Sequence, residues 1–219
     1  MINDMRLIFI ISFLLLNWIV NAQRIKSEYV ISKADSILLF YVGNPIANYF
    51  NFSYNNGSYY SYKNKFGKFR TGSIKENVRT KGTFINANIR YTFGYPDIKG
   101  IEGSTFVSFN SKYEIVEKLD LEYIPEFLKQ GKPCNFISEI TAAKISLDSL
   151  NFRGLDIEGP LLKYNFTFNR YVYTINNYIK RECCIANQDY GIKEVIIIDA
   201  ITGQIIHHRN ENFGILLIR

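Results

Sequence analysis

Glu194-Val195-Ile196-Ile197-Ile198-Asp199-Ala200-Ile201-Thr202-Gly203-Gln204-Ile205-Ile206 reads as a strand, a tight turn and a second strand. The β-branched run suits a half-buried pleated surface. Asp199 is placed to accept hydrogen bonds from the turn backbone, and Gly203 to take the positive φ of a type I turn with a bulge. Upstream, Leu161 to Phe168 and Tyr171 to Ile179 read as aromatic strands. Before them, Ser138 stands where an N-cap belongs, and Ile140, Ala143, Leu147 and Leu150 follow the i, i+3, i+7, i+10 spacing of one helical face. Gly154 is the natural stop.

The same order occurs earlier in the chain. Ile31-Ser32-Lys33-Ala34-Asp35-Ser36-Ile37-Leu38 opens a helix with Ser32 at the cap and Ala34, Leu38 and Tyr41 on one face, ended by Gly43-Asn44-Pro45. Alternating strands follow at Tyr49 to Asn55 and at Phe84 to Phe93, and Thr105 to Val116 closes the half as strand, turn and strand. A short Gln130 to Pro133 linker separates the halves. The expectation is an α+β chain of two halves, 23–130 and 131–219, each a helix packed on a small antiparallel sheet.

The second half, Ile137 to Ile206, resembles the PepSY family of exported domains. The residues that carry the likeness are Ile137-Ser138 with Ala142, the strand Tyr171-Val172-Tyr173-Thr174-Ile175, and the run Val195-x-Ile197-x-Asp199-Ala200-x-Thr202-Gly203-x-Ile205-Ile206. The resemblance implies a cystatin-like helix laid across an antiparallel sheet. It also implies a role in binding or restraining proteins, peptidases among them, without catalysis.

The start of the chain bears on where it works. Arg6, the apolar run from Leu7, and Val20 and Ala22 before Gln23 form a signal-peptide pattern, with cleavage expected after Ala22. The apolar stretch from Leu7 to Val20 is shorter than the roughly 20 residues of a spanning helix, and it contains Asn17. Residues 1–22 are therefore expected to be removed, leaving an extracytoplasmic protein, periplasmic or secreted, with no stable membrane span. The net charge of +6 and pI near 9.1 then point to anionic glycans, lipid headgroups or acidic proteins rather than nucleic acid. In an oxidising compartment, Cys134 is expected to pair with Cys183 or Cys184; a vicinal Cys183–Cys184 bridge and unpaired thiols are the alternatives.

Catalytic chemistry has little to stand on. Adjacent strand residues such as His207 and His208 point to opposite faces and do not share one metal. Glu211 is the only acid close to them in sequence, and they read as surface residues at a strand end. Cys183 and Cys184 sit in no thiol-enzyme signature, and no phosphate loop or metal-ligand spacing occurs. The acidic residues Glu114, Glu117, Asp120 and Glu122 alternate with apolar ones as on a solvated face. No catalytic residue, metal or cofactor is expected.

The unusual surface is Ser61 to Gly82. Lys63, Lys65, Lys68, Arg70, Lys75, Arg79 and Lys81 stand there against the single acid Glu76, interleaved with Tyr62, Phe66 and Phe69 and preceded by Tyr59 and Tyr60. Cations beside aromatics grip anionic polymers or acidic protein faces. The candidate binding residues are Tyr62, Lys63, Lys65, Phe66, Lys68, Phe69 and Arg70. The expected function is a non-catalytic binding or inhibitory module acting on an exported or envelope protein. The alternative is an envelope or anionic-glycan binder using the basic-aromatic patch.

Overall fold

The computed structural model describes residues 24–54, 56–185 and 188–214, with the backbone alone at 183–185 and 188. The signal-peptide segment 1–22 and the side chains of Cys183 and Cys184 lie outside the described residues. The chain is mixed α+β, dominated by antiparallel strands. It divides into two compact units, Met1–Phe93 with Ser104–Asp120, and Gly94–Gly103 with Leu121–Arg219. No helix among the described residues is long and apolar enough to cross a membrane.

The first unit opens with helix α1, Ser27–Val42, followed by the short α2, Asn44–Ala47. The strands are β1 (Phe50–Phe52), β2 (Tyr59–Lys63), β3 (Phe69–Ser73), β4 (Thr83–Gly94) and β5 (Glu102–Asn110). The long β4 organises the sheet. It pairs with β1 at its C-terminal end and with β2 at its N-terminal end, β3 lies outside β2, and β5 also pairs with β4. Ala87, Ile89, Tyr91 and Phe93 alternate into the core. A register shift opposite Ser61 and Tyr62 skips Ile85, which changes the phase and turns Phe84 inward instead.

Helix α1 begins earlier than Ser32. Ser27 supplies the first turn, its N–H and Oγ–H both donating to the Val78 carbonyl at 3.0 and 2.7 Å. Ser32 is an interior helical residue, and the cap reading fails because a partner 51 residues away fixes the start. The buried face is Ser27, Val30, Ala34 and Leu38, while Tyr41 is exposed. The Tyr91 hydroxyl donates to Asp35 Oδ1 at 2.6 Å and ties the helix to β4. Burial first, then that carboxylate, drive the Tyr91 hydroxyl's pKa well above its ordinary value.

The second unit carries the short helix α3, Glu126–Lys129, then α4, Glu139–Ser149. Its strands β6 (Asp156–Asn165), β7 (Arg170–Ile185), β8 (Gln188–Asp199) and β9 (Ile205–Phe213) form a meander in the order β6-β7-β8-β9. Here Ser138 is the N-cap, its Oγ accepting from the Thr141 N–H at 3.1 Å. The helix lies across β6, β7 and β8. Its buried residues, however, are Ala142 and Ser146, whereas Ile140 and Leu147 are 82% and 54% exposed. The apolar spacing selected the wrong face. The Tyr173 hydroxyl donates to the Ile137 carbonyl at 2.8 Å just before the helix, and the face set on the sheet carries small residues that allow a close approach.

The turn between β8 and β9 follows the sequence reading. Asp199 Oδ1 accepts from the N–H groups of Ile201 and Thr202, each at 2.8 Å, and Gly203 has φ +72°. Oδ2 accepts from Arg170 Nη1 at 2.9 Å, a partner from β7. Replacing this buried carboxylate removes the acceptor shared by two turn amides and the charge partner of a half-exposed guanidinium. Asp199→Ala is therefore expected to cost about 2 to 3 kcal/mol in urea denaturation. A loss below about 0.5 kcal/mol would mean water fills the role.

Candidate functional site

The basic segment folds into a hairpin and a return segment that leads into β4. Tyr59 to Lys63 pairs residue for residue with Phe69 to Ser73, Lys63 opposite Phe69 and Tyr62 opposite Arg70. The connecting turn is held from within. The Asn64 N–H donates to the Lys68 carbonyl at 3.0 Å, and Asn64 Oδ1 accepts from the N–H groups of Phe66 and Lys68 at 2.9 and 3.0 Å. Phe66 and Phe69 are 74% and 67% exposed. Lys63 Nζ lies 5.0 Å from the Phe69 ring centroid, and Lys65 Nζ 5.0 Å from that of Phe66. Tyr60, by contrast, turns inward.

Beyond β3 the chain returns along residues 78–83. Thr80 pairs with Ile25, its N–H donating to the Ile25 carbonyl at 2.8 Å and its Oγ1 accepting from the Ile25 N–H at 3.0 Å. The Tyr60 hydroxyl accepts from the Lys81 N–H at 2.9 Å, which fastens this return segment to β2. Tyr60 fits beneath β3 because residue 72 is glycine. A Cβ there would stand 2.7 Å from the phenol ring.

These contacts enclose a cleft of about 650 Å³ lined by Arg24, Tyr62, Lys63, Asn64, Lys65 and residues 79–83. Five of the lining residues are cationic: Arg24, Lys63, Lys65, Arg79 and Lys81. None is acidic, and among the described residues none of the five cations forms an ion pair with a carboxylate. Like charges gathered around one cleft without counterions repel, and the arrangement is relieved by an anion.

The seven candidate residues thus separate into two groups. Tyr62, Lys63 and Lys65 line the cleft, while Phe66, Lys68, Phe69 and Arg70 stand outside it on the exposed hairpin. Arg24 was missed, because it reaches the cleft through a pairing with residues 55 positions away.

His207 and His208 take different roles. His208 Nε2 lies 2.7 Å from Glu194 Oε1, and Glu194 is fully buried. His207 lies 3.7 Å from Glu211. Glu194 went unnoticed as a partner, yet it stands in phase with Ile196 and Ile198, both buried, and a carboxylate in that phase signals a satisfied buried group. Its lone pairs are taken by Asn151, Asn177 and His208. Cys134 is exposed and free. Among the described residues no group of three or more His, Cys, Asp or Glu side chains is placed to hold a metal ion.

No family model, curated protein or solved structure matches the chain.

Proposed function

We propose that the protein is an exported, non-catalytic binding module that takes an anionic partner in the cleft between β2 and the 79–83 return segment. The observation that carries this reading is five cations lining one 650 Å³ cleft with no carboxylate among them. Tyr62 supplies an aromatic wall, and Asn64, Thr80 and Thr83 supply polar groups beside the charges. The cleft needs no cofactor to bind an anion. Exposed cations are screened within about 8 to 10 Å at physiological ionic strength. Binding of fluorescent dextran sulfate, a soluble polyanion, is therefore expected to weaken at least tenfold between about 0.05 M and about 0.5 M salt. Salt-independent binding would remove the electrostatic basis of the reading.

A second reading concerns the other unit, which we take as a PepSY-like, cystatin-like half, with the first unit a diverged counterpart. Helix, antiparallel meander and the Asp199 turn support it. Its outward stripe, Ile140 and Leu147 on α4, favours contact with an exported protein, peptidases being the class the resemblance implies. A peptidase retained on the immobilised protein at low and high salt, and released by I140D/L147D, is the expected result. Retention unaffected by that variant would contradict it.

A further inference from the structure

We infer that the β2–β3 hairpin docks the protein peripherally on an anionic lipid surface. In this arrangement Phe66 and Phe69 enter the headgroup boundary, and Lys63, Lys65, Lys68 and Arg70 meet lipid phosphates. This rests on the anion-binding reading of the adjoining cleft and names its partner. A soluble anion accounts for the cations, but not for two exposed phenyl rings at the end of a hairpin that carries no acid from Tyr59 to Lys75. Phenyl rings have no donor or acceptor to offer glycan hydroxyls, whereas the acyl boundary needs none. The rings are held out by an ordered turn, since Asn64 satisfies the backbone on both sides of Phe66.

In water the lysine stems hold their ammonium groups beside the exposed rings, Lys63 Nζ over Phe69 and Lys65 Nζ over Phe66. At a bilayer the same stems let the ammonium groups reach up to phosphate while the rings move down. Stable surface attachment takes two signals, apolar insertion and basic attraction, and this hairpin holds both.

The test is co-sedimentation of the protein, recovered as processed by an exporting host, with two vesicle preparations. One is phosphatidylcholine alone, and the other contains about one third phosphatidylglycerol. Binding to the second and not the first is expected. Each surface cation contributes about fivefold to such partitioning, so K65E/K68E should lower it more than tenfold. F66S/F69S should also lower it about tenfold while leaving dextran sulfate binding and thermal unfolding unchanged. Dextran sulfate binding without vesicle binding would overturn the lipid assignment and leave the anion cleft standing. Vesicle binding indifferent to F66S/F69S would do the same. Failure to bind either probe would overturn both.

Discussion

Glu194→Ala is expected to destabilise the second unit by about 3 to 5 kcal/mol, the range for removing one partner from a buried, hydrogen-bonded charge. Glu194 is fully buried and both of its oxygens accept hydrogen bonds. Oε1 accepts from the backbone and side-chain N–H groups of Asn151 at 3.1 and 2.7 Å and faces His208 Nε2 at 2.7 Å; Oε2 accepts from Asn177 Nδ2 at 2.8 Å. Asn177 in turn donates to the Phe152 carbonyl and accepts from the Gly154 N–H, both at 2.8 Å. One carboxylate therefore joins β7, β8 and β9 to the segment that follows α4, and alanine leaves the buried Asn177 amide short of an acceptor and unfastens Asn151 and His208. The melting temperature should fall by roughly 10 °C for a chain of this size. A loss under about 1 kcal/mol would show that the network is dispensable.

The same carboxylate makes stability pH-dependent. Burial pushes the Glu194 carboxyl up, but the bonds from His208, Asn177 and Asn151 outweigh it and hold it below the ordinary 4.5. Burial likewise raises Asp199, and the Thr202 amide, Arg170 and the Ile201 amide bring it below 3.8. A depressed folded-state value contributes stability in full above the ordinary value, and loses it as pH falls through the folded one. Stability is thus expected to hold down to the ordinary carboxylate range and to decline below it. The decline should be shallower in Glu194→Gln, which has no carboxylate left to protonate.

Gly82→Ala is the second large effect, about 3 kcal/mol of stability together with loss of polyanion binding. Gly82 has φ +60°, and a Cβ there would stand 2.2 Å from the Lys63 carbonyl oxygen and 2.7 Å from the Tyr62 ring. The oxygen belongs to the β2 backbone, which is paired on both edges, so it cannot swing aside as a side-chain end would. The return segment must move away from β2 instead. That movement carries Arg79 and Lys81 from Lys63 and Lys65 and opens the cleft. Gly94, with no atom within 4 Å of its Cβ position, is the control. Gly94→Ala should change stability by less than about 1 kcal/mol. Equal effects at the two positions would refute the steric argument.

What the sequence disclosed followed the reach of each interaction. The Asp199 turn was readable because its carboxylate bonds residues two and three positions on. The alternation of Ile89, Tyr91 and Phe93 was readable because period two is local. Ser138 was identified correctly and Ser32 was not, although both are serines after an apolar residue. The true start of α1 is fixed by Val78, which no local pattern reveals. The α4 stripe misled because helical spacing finds an apolar face, while packing on β6, β7 and β8 buries the small one at Ala142 and Ser146. The cleft was half legible. The charge of Ser61 to Gly82 stands out in composition, but its division into cleft and hairpin, and the arrival of Arg24, depend on strand pairing.

The most direct test of the anion-binding cleft is the affinity of K63E/R79E/K81E for dextran sulfate at low salt, with circular dichroism to confirm the fold. The cleft residues predict that binding falls at least a hundredfold while the spectrum and melting temperature stay unchanged. Undiminished binding by a folded variant would contradict the account and move the site elsewhere on the protein.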